Sequence, residues 1–182
     1  MTNSNKSSKQ ELWSMGVKSH ELALKGDKEA TKKAYDLFKQ IYELDPPDQR
    51  AAAYLGSATA LLGKNAIDPN ERLKLVLKGL KTLDNAVTKD PEDIEIRTLR
   101  AYVSFNLPEM FFHRTTSAVG DFKHLVLRYE QDKSIFTENF YWQILYDLGV
   151  AYKRLGKKNE AKETWDNLLQ VTNDPKYKDL IK

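Results

Sequence analysis

The sequence contains no cysteine. Disulfides, thiolate catalysis and thiolate-ligated zinc are therefore excluded, and the composition fits a reducing, cytoplasmic location. Long apolar runs are missing too. The most apolar stretch, AAAYLGSATALLG (51–63), is too short to cross a bilayer. The opening MTNSNKSSKQE lacks the apolar segment of a secretory signal or anchor, so 1–9 is expected as a disordered lead-in. Nor is there an excess of one charge. Twenty-nine basic residues against 26 acidic ones leave +3, which argues against nucleic acid as a partner, because such binders concentrate basic charge.

Catalytic and metal-binding signatures are equally absent. His20, His113 and His124 form no HxxxH or HxxE spacing, and no GxxxxGK[ST], GxGxxG or GxSxG occurs. LGKN (62–65) and LGKK (155–158) look like pieces of a phosphate loop, but each follows a helical stripe where a turn is needed. The expectation is a protein with no catalytic residue, metal site or cofactor, which is not an enzyme.

What the chain does have is helical periodicity. Leu145, Leu148, Ala151, Tyr152 and Leu155 share one stripe; Ala161, Trp165, Leu168 and Leu169 share another. Ala34, Leu37, Phe38, Ile41 and Leu44 form a third, stopped by Asp45-Pro46-Pro47. Leu80, Leu83, Ala86 and Val87 form a fourth, stopped by Asp90-Pro91. No segment alternates with the two-residue period of a strand. The fold class is all-α, with about eight helices plus a short C-terminal one.

Two patterns recur in strict alternation. The first is an apolar–glycine pair: Met15-Gly16, Leu55-Gly56, Leu99-Arg100 and Leu148-Gly149, with Arg100 as the exception. The second is a small residue, a large apolar one four on, and an apolar one three further. It appears as Ala34/Phe38/Ile41, Gly79/Leu83/Ala86, Ala118/Phe122/Leu125 and Ala161/Trp165/Leu168. Alternation of this kind marks stacked helix–turn–helix units: glycine on the first helix permits close approach, and the aromatic residue of the second fills the space beyond.

On these residues the chain resembles the tetratricopeptide repeat (TPR) family, as a divergent, bacterial-type array. YDLGVAYKRLGKKNEAKETWDNLLQVTNDP (146–175) carries the fullest match, with Leu148, Gly149, Tyr152, Gly156, Ala161, Trp165 and Leu168 at family spacings. The resemblance implies a right-handed α-solenoid of about four repeats (10–46, 48–91, 93–131, 139–173) and a capping helix (175–182), forming a single domain over 10–182. The distance from the glycine position to the small residue departs from the family. It is 18 (16 to 34), 23 (56 to 79), 18 (100 to 118) and 12 (149 to 161), against about 12. An insertion, QDKSIFTEN, precedes the last repeat.

The resemblance also implies a function: a non-enzymatic scaffold or adaptor that binds a protein or peptide on the concave face lined by first helices. Registration places Arg50, Ala53, Ser57, Arg97, Arg100, Ala101, Ser104, Tyr146, Val150, Lys153 and Arg154 at or beside that groove. Its basic character points to an acidic segment as ligand. The chaperone-binding carboxylate clamp is not reproduced, since Ala53, Ser57, Ala101 and Val150 stand at its positions. Alternatives are a helical-repeat RNA binder, or an accessory subunit of a complex whose activity lies in another chain. Outside the repeats, NLPEMFFHR (106–114) places Met110, Phe111 and Phe112 in succession, either a covering loop or an apolar interface patch.

Overall fold

The computed structural model of the chain describes residues 3–46 and 48–181, the side chains from residue 8 onward. Met1, Thr2, Pro47 and Lys182, which the lead-in, the first stop and the cap were expected to include, lie outside the described residues. Among the described residues ten helices follow one another: α1 (Asn3–Leu24), α2 (Lys28–Leu44), α3 (Gln49–Asn65), α4 (Pro69–Lys89), α5 (Ile94–Asn106), α6 (Glu109–Phe112), α7 (Thr115–Gln131), α8 (Glu138–Arg154), α9 (Lys158–Val171) and α10 (Pro175–Leu180). No strand occurs among the described residues.

Their starts are written in aspartate. Asp27, Asp48, Asp68, Asp93 and Asp174 each accept a hydrogen bond from a backbone N–H of the helix they precede. Each satisfies a donor that the first turn leaves open, worth about 1 kcal/mol. The Asp-Pro stops end α2 and α4 as expected: the N–H groups of Asp45 and Asp90 make the last bonds, to Ile41 and Ala86.

Helix α1 begins at Asn3, inside the segment expected as lead-in. The N-terminal part of α1 has no apolar stripe, so periodicity could not show it. Lys9 bonds Asp45 at 2.8 Å and Asp48 at 3.0 Å, tying α1 to the turn between α2 and α3.

The chain divides into two compact units, residues 1–103 and 104–182. Within the units, α1 packs on α2, α3 on α4 and α8 on α9, and α6 stands between α5 and α7 in the chain. Helix α5 lies largely in the first unit and α7 in the second.

In the first unit, Phe38 and Tyr54 stack at 4.5 Å, and Trp13 meets both edge-on at 5.6 Å. Ile41 and Ala51 complete this core, and Ala53, Leu83, Val87 and Ile96 belong to a second cluster between α3, α4 and α5. Helices α3 and α4 touch at the backbone. A Cβ on Gly79 would lie 2.5 Å from the Gly56 carbonyl oxygen, so Gly79 has no room for one, and a Cβ on Gly56 would be tight at 3.0 Å from the Gly79 carbonyl oxygen.

In the second unit, Tyr129, Tyr141, Leu145, Leu168 and Tyr177 form the core. The insertion folds back onto it: Phe136 stacks on Tyr129, and Tyr129 stacks on Tyr141 at 4.3 Å. Tyr177 of α10 is 3% exposed, the deepest residue of the cap.

Candidate functional site

Of the groove candidates in the first unit, Arg50 projects from α3 to the start of α5. Its Nε bonds Asp93 at 2.5 Å, and its Nη1 lies 3.7 Å from Glu95. The hydrogen bond to Asp93 holds the guanidinium pKa above its usual value. Asp93 also accepts from the Glu95 and Ile96 amides, and the Tyr54 hydroxyl donates to Glu95 at 2.6 Å. Burial, reinforced by Glu95, raises the Tyr54 phenol far above its usual range. Arg50 thus clamps α3 to the N-terminus of α5. Arg97 donates to the Pro91 carbonyl, and Arg100 reaches back to Asp84 of α4 at 3.3 Å.

Ser57, Ala53 and Ala101 are not groove residues. Ser57 is buried, with its Oγ 2.8 Å from His20 Nε2. Ala53 and Ala101 are fully buried. The correction has a simple cause. A helix as rich in Ala, Gly, Ser and Thr as α3 is packed on several sides, and its small residues mark contacts rather than an open face. Burial also pushes His20 down to about 4, so its imidazole is neutral at physiological pH.

In the second unit Ser104 is likewise fully buried and cannot face a ligand. Arg154 is spent locally: its guanidinium stacks 4.1 Å from the Phe105 ring and donates to the Phe105 carbonyl. That carbonyl is near the C-terminal end of α5, where a cation is favoured. Tyr146 is half-buried, stacked 6.5 Å from Trp165 and tilted against Tyr177 at 6.0 Å. Trp165 Nε1 donates to the Tyr146 carbonyl at 3.1 Å. Lys153 is exposed, 5.7 Å over the Trp165 ring. In this unit Tyr146 and Val150 are half-buried and Lys153 and Arg154 exposed, and of the four only Arg154 is held by an ordered hydrogen bond to a backbone carbonyl.

The segment 106–114 splits in two. Pro108 starts α6, whose single turn ends at His113 in the left-handed conformation, φ 51°. Glu109 Oε2 accepts the Thr115 amide at 2.8 Å, which lowers its pKa and fastens α6 to the start of α7. Phe112 is half-buried. Met110 and Phe111 are 79% and 75% exposed.

One exposed feature escaped sequence reasoning: the outward side of α4, where Leu73 and Leu77 run beside Lys74, Lys78 and Lys81. Its signal is the stretch RLKLVLKGLKTL (72–83), which contains four basic residues and no acid. Among the described residues, no group of three His, Asp or Glu side chains comes together that could hold a metal ion.

No protein-family model matches the sequence, and no curated protein sequence does. Among solved structures, a mutant of MamA superposes with a TM-score of 0.58 at 19% identity, covering 88% of this chain and 77% of its own. A thermophilic TPR protein from Thermus thermophilus aligns with a TM-score of 0.44 at 15% identity, covering 93% of this chain and 95% of its own. With the Leu148-Gly149, Tyr152, Ala161 and Trp165 register realised in α8 and α9, the chain has an all-α, TPR-like helical-repeat fold.

Proposed function

We propose that the chain is a non-enzymatic scaffold that binds a protein or peptide segment, with Met110 and Phe111 as the anchor of the contact. The observation that carries this reading is their exposure on a single helical turn whose two ends are fixed, by the Glu109–Thr115 bond and by the left-handed His113. Burying a large apolar side chain is worth roughly 1.5–3 kcal/mol. Two adjacent ones held rigidly in water are therefore a ready binding surface with little ordering entropy left to lose. Stacked helical hairpins serve recognition through such surfaces. Tyr146, Val150 and Lys153 offer a second, smaller contact patch, and Lys153 suits an acidic group on the ligand. An RNA-binding role draws less support, because Arg50, Arg100 and Arg154 are engaged within the protein. The absence of cysteine fits work in the cytoplasm.

Affinity capture from the native host, comparing the wild-type chain with Met110→Ser/Phe111→Ser, tests the proposal. Loss of a specific captured protein, with helicity and melting temperature unchanged, is the expected result. Identical capture by both chains overturns the assignment of the anchor.

A further inference from the structure

The outward strip of α4 belongs to neither of the surfaces above. Over residues 72–83 the chain carries Arg72, Lys74, Lys78 and Lys81 and no acidic residue. The three lysines are exposed, and among the described residues no carboxylate pairs with any of them. Leu73 and Leu77, one turn apart, are 49% and 51% exposed, and Ile67, just before the helix, is 96% exposed. The opposite side of α4 is committed to the core through Val76, Leu80, Leu83 and Val87. Of the nearby acids, Asp68 accepts the Asn70 amide as the helix cap and Asp84 pairs with Arg100, while Glu71, exposed in the first turn of α4, is the one carboxylate beside the strip's N-terminal end.

We infer that this strip is a docking surface for an anionic lipid bilayer, with Lys74, Lys78 and Lys81 at the headgroups and Leu73 and Leu77 entering the interface. Lysine is suited to this arrangement, since its stem covers apolar surface while its ammonium stays with water and phosphate. A row of leucines beside a row of lysines is the pattern by which amphipathic helices lie on membranes. Each basic residue held near an anionic leaflet adds to the attraction. A soluble acidic partner fits less well. Leu73 to Lys81 spans about 12 Å of one helix about 10 Å across. That footprint is far below the roughly 800 Å² per partner of a stable protein interface. A bilayer has no such lower limit, because it extends past the strip in every direction.

Co-sedimentation of the full chain with vesicles is the test, using phosphatidylcholine alone and phosphatidylcholine with a third of phosphatidylglycerol. The wild-type chain is expected to bind the anionic vesicles, not the neutral ones, and to release as salt rises. Lys74→Glu/Lys78→Glu/Lys81→Glu should weaken partitioning about a hundredfold or more. Lys28→Glu/Lys32→Glu/Lys33→Glu on α2 changes the net charge equally and should retain it. Leu73→Ser/Leu77→Ser should weaken it at unchanged charge, which a purely electrostatic attraction would not. Circular dichroism checks that each variant is folded, and the milder Lys→Gln triple on α4 replaces the Glu triple if that one is not. Absence of binding at low salt overturns the inference, as it would if the strip serves a soluble partner. Equal losses in the α2 and α4 variants overturn it as well.

Discussion

Trp165 lies across Gly149 so closely that a Cβ on the glycine would stand 2.5 Å from the indole Cδ1 and Cε2. Replacing a helical glycine by alanine ordinarily stabilises by about 1 kcal/mol. Here the sign reverses. Gly149→Ala must push the indole off α8 and with it the Nε1 bond to the Tyr146 carbonyl. A net loss of about 2 kcal/mol is expected from overpacking and the broken bond, measurable by urea denaturation. Gly120 is the control: a Cβ added there would meet nothing within 4 Å, and Gly120→Ala should stabilise.

His20 makes stability depend on pH in one direction. Its pKa is about 4 in the fold and about 6.5 when the chain is open, so the unfolded state takes the proton first. Its contribution is complete above pH 6.5 and is lost as pH falls from there toward 4, up to about 3 kcal/mol in all. Denaturation at pH 7 and pH 4.5 should show a larger drop for the wild-type chain than for His20→Gln. Equal drops would sink this account.

Arg50 and Asp93 form an unequal pair. Asp93 is buried and also caps α5, whereas more than half of the Arg50 side chain is in solvent. Asp93→Ala should cost about 2 kcal/mol, from a lost cap and a lost charge-assisted bond. Arg50→Ala should cost about 1 kcal/mol or less. Denaturant midpoints of the two variants decide the order, and a larger loss for Arg50→Ala would contradict it.

Phe111 and Phe112 should separate under the same substitution. Phe111→Ser removes a solvent-facing ring and should leave the melting temperature almost unchanged. Phe112→Ser strips a half-buried one and should cost about 1–2 kcal/mol. Thermal unfolding of the two single variants reads the difference directly.

The repeat pairs were legible because their signals are local. Phe38, Phe122 and Trp165 recur at a fixed distance from a small residue, and Asp-Pro pairs stand at the ends of α2 and α4; both signals lie within a few residues of one another in the chain. The face of each helix was harder to read. Ser57 and Ser104 hold the register of groove positions, yet their surroundings are set by helices far away in sequence, and both are interior. Arg154 reads as a free cation until Phe105, 49 positions earlier, is found beneath it. Helix α6 could not be foreseen from period, because four residues make only one turn. Its existence depends on Pro108 and on a carboxylate, Glu109, that reaches over to the next helix.

Trp13 is the sole tryptophan of residues 1–103, wedged against Phe38 and Tyr54, while Trp142 and Trp165 belong to 104–182. The molecule consequently carries its own optical labels, one set for each half. Emission from a Trp13→Phe chain comes from the C-terminal half alone, and its difference from the wild-type signal isolates the N-terminal half. Stepwise loss of one signal before the other would reveal two melting blocks without any added dye.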